Sequence, residues 1–200
     1  MKNRRSVLAG AILCLGLAGC TSSSDENGDQ GNGDDEEIGG FDEEEQQRRD
    51  IAQNYSLGLD SLAGGEAGLE NGIFNFNLEM YDLAIDSFQS AEDTFERAED
   101  QFSDAIDLTY ELGEPEAREI CETGESTAIT LQNAAERYRA AARYAGDGES
   151  AEQVNTRITQ GEDYEDEAEK SPPRDLSVLG DLLEVDTEGM GSGLFDDDDS

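Results

Sequence analysis

Histidine and tryptophan are absent from the 200 residues, and lysine occurs only as Lys2 and Lys170. Without histidine the usual general base, the Ser-His and Cys-His nucleophile pairs and most zinc and copper sites are excluded. Cysteine is nearly as scarce, at Cys14, Cys20 and Cys121, and proline appears only at 115, 172 and 173. The longest apolar stretch, Ser6 to Leu17, is interrupted by Gly10 and Gly16. That falls short of the roughly 20 apolar residues that a spanning helix needs.

What is present begins with an address. Lys2, Arg4 and Arg5 form a basic region, the short apolar run follows, and Leu17-Ala18-Gly19-Cys20 closes it with small residues before a cysteine, the layout of a cleaved export signal. Asn3-Arg4-Arg5-Ser6-Val7-Leu8 resembles the twin-arginine export motif, and Leu17, Ala18, Gly19 and Cys20 resemble the lipobox of exported lipoproteins. The resemblance implies export guided by Arg4 and Arg5, cleavage after Gly19 and a lipid on the thiol of Cys20. Cys14, preceded by Ala11-Ile12-Leu13, does not fit the lipobox. A two-chain lipid anchors stably, because each buried methylene contributes about 0.8 kcal/mol. The implied place is the outer face of the cell membrane, with Cys121 the one thiol left in the mature chain and no internal disulfide possible.

The formal charge is −37, and loss of Lys2, Arg4 and Arg5 with the signal takes residues 20–200 to −40. So negative a chain excludes nucleic acid and anionic headgroups as electrostatic partners. Acid excess with lysine depletion is similar to the proteins of extreme halophiles, where molar salt screens carboxylate repulsion to a Debye length of about 3 Å. Together with the signal, the resemblance is to haloarchaeal twin-arginine-exported lipoproteins. Residues 20–45 are Ser, Gly, Asn, Asp and Glu with almost nothing to bury, and read as the lipidated cysteine followed by a disordered acidic tether. Asp25, Asn27, Asp29 and Glu36 fall at EF-hand ligand spacing, but Gln30 takes the turn glycine's place and Asn32 the apolar position. The segment reads as solvated linker; no metal and no cofactor are expected.

Residues 46–170 read as an all-α helical bundle. Phe74, Tyr81, Phe88, Phe95 and Phe102 recur every seven residues, interleaved with Ala84, Ala91, Ala98 and Ala105, which predicts a coiled-coil-like seam on one long helix. Gly113 stops that helix and Pro115 opens the next at its first turn. The second helix carries Ala117, Cys121, Gly124, Ala128, Leu131, Ala135, Tyr138, Ala142 and Ala145 on one face. Folding the pair into an antiparallel hairpin about Gly113 sets Phe102 against Gly124, Phe95 against Leu131, Phe88 against Tyr138 and Tyr81 against Ala145, with small residues meeting in the alternate layers. Cys121 is then a small core residue. Upstream, Ile51, Tyr55, Leu59, Leu62, Leu69 and Ile73 mark an N-terminal helix weakened by Gly58, Gly64, Gly65, Gly68 and Gly72, and the sequence leaves open whether it runs on or breaks near Gly64-Gly65. Downstream, Ser150 with Gln153 forms a capping box for a short C-terminal helix carrying Ala151, Val154, Ile158 and Tyr164, ended by Ser171-Pro172-Pro173. Residues 171–200 read as a disordered acidic tail with one apolar patch at Leu176 to Val185.

A second resemblance is narrower. Gly72, Tyr81, Ala84, Phe88 and Ala91 match the spacing of a tetratricopeptide repeat, but Glu96 replaces the terminal proline and no copy follows about 34 residues on. A long-helix bundle accounts for the same residues and for the heptads beyond them. No catalytic residue is expected, because among 50 acids any carboxylate spacing arises by chance. The expectation is a non-enzymatic, membrane-anchored interaction or scaffold domain with an unidentified protein partner. The alternative is a ligand-binding or accessory subunit of an exported or transport system, with a groove between the first helix and the hairpin.

Overall fold

The computed structural model describes residues 42–190. The signal and lipobox residues Arg4, Arg5, Leu17, Ala18, Gly19 and Cys20, and the EF-hand-like spacing, lie outside them. Five helices follow in order: α1 Glu43–Asn77, α2 Tyr81–Leu112, α3 Pro115–Gly146, α4 Ala151–Ala168 and α5 Leu176–Leu183, with no strand among the described residues. The first three form an antiparallel bundle with α2 packed along both α1 and α3; α4 lies on α3, and α5 bridges α1 and α3. This is the all-α helical bundle expected from the periodicity.

The predicted hairpin register holds. Gly113 takes the left-handed conformation at φ 76° and Pro115 opens α3. A β-carbon at Gly124 would sit 2.7 Å from Phe102 Cε1, and the rings of Phe88 and Tyr138 stack with centroids 5.6 Å apart. Ala84, Ala91, Ala98, Ala105, Ala128 and Ala135 are all buried, as is Cys121. The outermost layer shifts by one residue, with Tyr81 against Gly146. The capping box is present, the Gln153 backbone N–H donating to Ser150 Oγ and the Ser150 N–H to Gln153 Oε1.

Four points of the sequence reading are corrected or settled. The aromatic heptad does not run along one helix: Leu78 to Met80 turn the chain between Phe74 and Tyr81, and Phe74 stands 62% exposed. The turn uses no glycine, Glu79 adopting φ 59° while the Met80 N–H donates to Asn75 O. The continuity of α1 through Gly64-Gly65, open from the sequence, is settled: the helix is unbroken over 35 residues, about 50 Å at 1.5 Å per residue. Third, Glu43 to Glu45, assigned to the tether, form its first turn, where acids face the positive end of the helix dipole.

The fourth point concerns the tail. Leu176 to Leu183 form α5, which buries Leu179 and Leu183 completely. The segment leading to it is fastened by two hydrogen bonds: Tyr55 Oη donates to Arg174 O at 2.6 Å and Thr127 Oγ1 to Ser171 O at 3.1 Å. An eight-residue helix has no stability of its own, so the burial of its leucines holds it in place.

The glycines of α1 explain its closeness to α2, and the packing they permit offsets their weakness as helix formers. Gly58, Gly65 and Gly72 repeat every seven residues and lie against the rings of Phe102, Phe95 and Phe88; β-carbons there would come within 2.6, 2.4 and 2.4 Å of ring atoms. Each glycine costs about 1 kcal/mol of helix propensity relative to alanine. In exchange the three rings pack directly on the α1 backbone in a close-packed core, Phe102 also meeting Gly124 and Phe88 also stacking on Tyr138 of α3.

Candidate functional site

Helix α4 packs on α3 and makes no close backbone contact with α1, and the gap between α1 and α4 is a groove floored by α2 and α3. The sequence reading put a groove between the first helix and the hairpin; α1 instead closes on α2 without a gap, and the open side faces α4. Two cavities lie along it. The upper one, of about 350 Å³, has Phe88, Tyr138 and Ala141 as floor, Ile73 and Phe76 as one wall, Ile158 as the other, and Asn77, Glu162 and Glu165 at its edge. The lower one, of about 380 Å³, is lined by Leu69, Leu131, Ala168, Pro172 and Pro173 among Glu66, Glu70, Glu165 and Glu169. Glu165 belongs to both.

The order of this groove comes from local packing. Gly161 leaves space on α4 for the ring of Tyr138, a β-carbon there falling 2.8 Å from Cζ. The Tyr138 hydroxyl reaches past it to donate a hydrogen bond to Glu165 Oε2, which fixes that carboxylate at the meeting of the cavities. Neither cavity has a lysine or arginine in its lining. Arg137 and Arg157 lie instead with Asp163 in a separate depression, Arg157 above the Tyr144 ring and donating to Gln160.

Carboxylates without cations raise one another's proton affinity. Desolvation pushes Glu165 above the usual carboxylate range in spite of the Tyr138 hydrogen bond, and Glu162, Glu169 and Asp166 add repulsion. Across the groove, partial desolvation and then the charges of Glu70 and Glu165 push Glu66 up. Desolvation and Glu165 likewise push the Tyr138 phenol up, keeping it a hydrogen-bond donor. The arrangement suits recognition of an apolar group with a positive end.

A second half-buried acid lies between α2 and α3. Glu92 receives Arg139 Nη2 at 2.9 Å, yet desolvation outweighs the guanidinium and pushes its carboxyl to about 7. Its Oε1 has no hydrogen-bond partner. Burial also pushes the Cys121 thiol up to about 12, so it stays protonated as the core residue expected from the sequence.

Beyond the groove, Phe74, Leu78, Met80 and Leu83 expose apolar surface together at the α1–α2 turn. The tetratricopeptide-like residues straddle this turn, with Gly72 against Phe88, but α1 and α2 are each about as long as a whole such repeat. Of the groove residues, the sequence marked Leu69, Ile73, Leu131, Tyr138 and Ile158 as apolar helix positions. It gave no sign of Glu66, Glu162 or Glu165, three acids among 50. Among the described residues no helix is long and apolar enough to cross a membrane, and no cluster of His, Cys, Asp and Glu is arranged to hold a metal ion. No protein-family model matches the chain, and comparison with curated proteins and with solved structures found no match.

Proposed function

We propose that the chain is a lipid-anchored protein of the outer cell-membrane face, exported by the twin-arginine route, whose helical domain acts as a non-enzymatic interaction module in a salt-rich environment. The observation that carries the anchoring is the ordered pair of motifs at Arg4-Arg5 and Leu17 to Cys20. The interaction role draws support from the apolar turn of Phe74, Leu78, Met80 and Leu83, since surface of this kind gathered in one place marks contact sites more often than scattered apolar residues do. The absence of histidine removes the side chain most often used as a general base, in keeping with a non-enzymatic role.

Membrane fractionation tests the anchor. Cys20→Ser is expected to move the protein from membranes to the medium, while Arg4→Lys with Arg5→Lys leaves uncut precursor inside the cell. A Cys20→Ser protein that stays in membranes with its N-terminus intact would refute lipidation.

A second reading, a ligand-binding or accessory subunit, is favoured by the groove between α1 and α4. Its cavities have the size of small-molecule sites and an apolar floor with polar groups at the edge.

A further inference from the structure

We propose that the upper cavity between α1 and α4 receives a small organic cation with an apolar body, the body lying between Ile73, Phe76 and Ile158 and the charged head between Glu162 and Glu165. The proposal rests on the groove reading above and deepens it by naming the class of ligand. Three observations argue for it.

The first is shape. A space of about 350 Å³ holds a ligand of roughly ten to fifteen heavy atoms, and apolar side chains from α1, α2, α3 and α4 all contribute to its lining. The second is charge. The edge carries Glu162 and Glu165, the adjoining cavity adds Glu66, Glu70 and Glu169, and no basic side chain lines either space. An anion would be repelled by these carboxylates, and a neutral apolar molecule would leave them facing only one another. A cation relieves that repulsion. The third is preorganisation, because Tyr138 holds Glu165 in place and Gly161 holds Tyr138 close. A charge fixed before the ligand arrives loses little entropy on binding.

Molar salt sharpens the requirement. Screening to about 3 Å removes long-range attraction by the acidic surface as a whole, so only a cation in contact with a carboxylate and partly out of water is held. An apolar body supplies the rest of the affinity, and salt strengthens that part. Bare inorganic cations lack it.

The test is a titration of the unlipidated Cys20→Ser chain in molar KCl, where no detergent competes for the cavity. Three probes share one alkyl body: hexyltrimethylammonium, hexan-1-ol and hexanoate. Binding is read from the methyl resonances of Ile73 and Ile158. The ammonium is expected to bind about tenfold more tightly than the alcohol, and hexanoate most weakly. Glu162→Gln with Glu165→Gln should bring the ammonium down to the alcohol's affinity, and Ile158→Trp should abolish binding of both by filling the space. Asn77→Arg, an exposed change that leaves the core untouched, should weaken the ammonium alone, and covers the case in which Ile158→Trp fails to fold.

Equal binding of ammonium and alcohol, with the Ile73 and Ile158 methyls responding to both, would overturn the cation and leave the groove reading standing. Ammonium binding unchanged by the Gln pair and by Asn77→Arg would place the ligand on the general acidic surface and overturn the proposal. Absence of binding by every probe would overturn the proposal and the groove reading together.

Discussion

The two sides of α1 meet their neighbours in opposite ways. Toward α2, Gly58, Gly65 and Gly72 lie against Phe102, Phe95 and Phe88, and the helices close without a gap. Toward α4, no glycine of α1 and no ring of α4 interlock, and the space between them stays open as a groove edged by Glu66, Glu70, Glu162, Glu165 and Glu169. The difference teaches that glycine in a helix is not simply weakness. Where a ring on the partner repeats with the same period, glycine converts lost propensity into close packing; where nothing does, the interval stays open with carboxylates along it.

The largest expected effect separates the two sides by salt. Reducing KCl from molar to about 0.1 M lengthens the Debye length from about 3 to about 10 Å and lets the carboxylates repel one another across the groove. Hydrogen exchange should then accelerate in α4 before it does in the α1–α2 pair, with loss of helicity following at lower salt. Equal protection of α4 and α2 in low and molar salt would show that the groove carries no unrelieved repulsion and would weaken the halophilic reading.

Alanine substitutions at adjacent glycines give the next largest effect. A β-carbon at Gly65 would fall 2.4 Å from Phe95 Cε1, whereas at Gly64 its nearest neighbour is Thr94 Cγ2 at an ordinary 3.4 Å. Gly65→Ala is therefore expected to destabilise by about 1 to 3 kcal/mol through overpacking. Gly64→Ala should stabilise by up to about 1 kcal/mol through helix propensity. Chemical denaturation in molar salt measures both, and a stabilising Gly65→Ala would mean that ring and glycine do not meet.

Much of the fold was legible because it is periodic and local. The α2–α3 hairpin followed from aromatic and alanine heptads in matching phase, and its turn from Gly113 and Pro115. The glycine heptad of α1 was equally visible in the chain, yet propensity describes an isolated helix and reads those residues only as defects. The groove was not legible, since its glutamates come from α1 and α4, separated by about a hundred residues, and resemble every other acid in the sequence.

The smallest effect is pH dependence, and it returns to the buried side of the molecule. The folded-state pKa of Glu92 is raised from 4.5 to about 7, so the native state holds this proton more tightly than the unfolded chain does. The resulting stability is fully present below about 4.5 and is lost as pH rises through about 7. Desolvation raises Glu66, Glu99, Glu125 and Glu165 as well, which gives them the same sign. The melting midpoint should thus fall by about 2 to 4 °C between pH 5 and pH 8 at constant salt. Glu92→Gln should flatten that slope, and a midpoint that rises with pH would contradict it.

By itself the sequence determined the helical class, the register of α2 against α3, the capping of α4 and the core placement of Cys121, all of which follow from side-chain spacing within one or two adjacent helices. Tertiary structure decided the rest. The turn at Leu78 to Met80 has no glycine or proline to announce it and places Glu79 at φ 59°, a conformation sustained by the packing of α1 on α2. Helix α5 exists because Leu179 and Leu183 find a crevice between α1 and α3, and the groove exists because α4 rests on α3 and stands off from α1. Periodicity specifies which face of a helix is buried. Which distant surface covers that face, and where none does, depends on contacts whose energy is gained only when the whole bundle assembles.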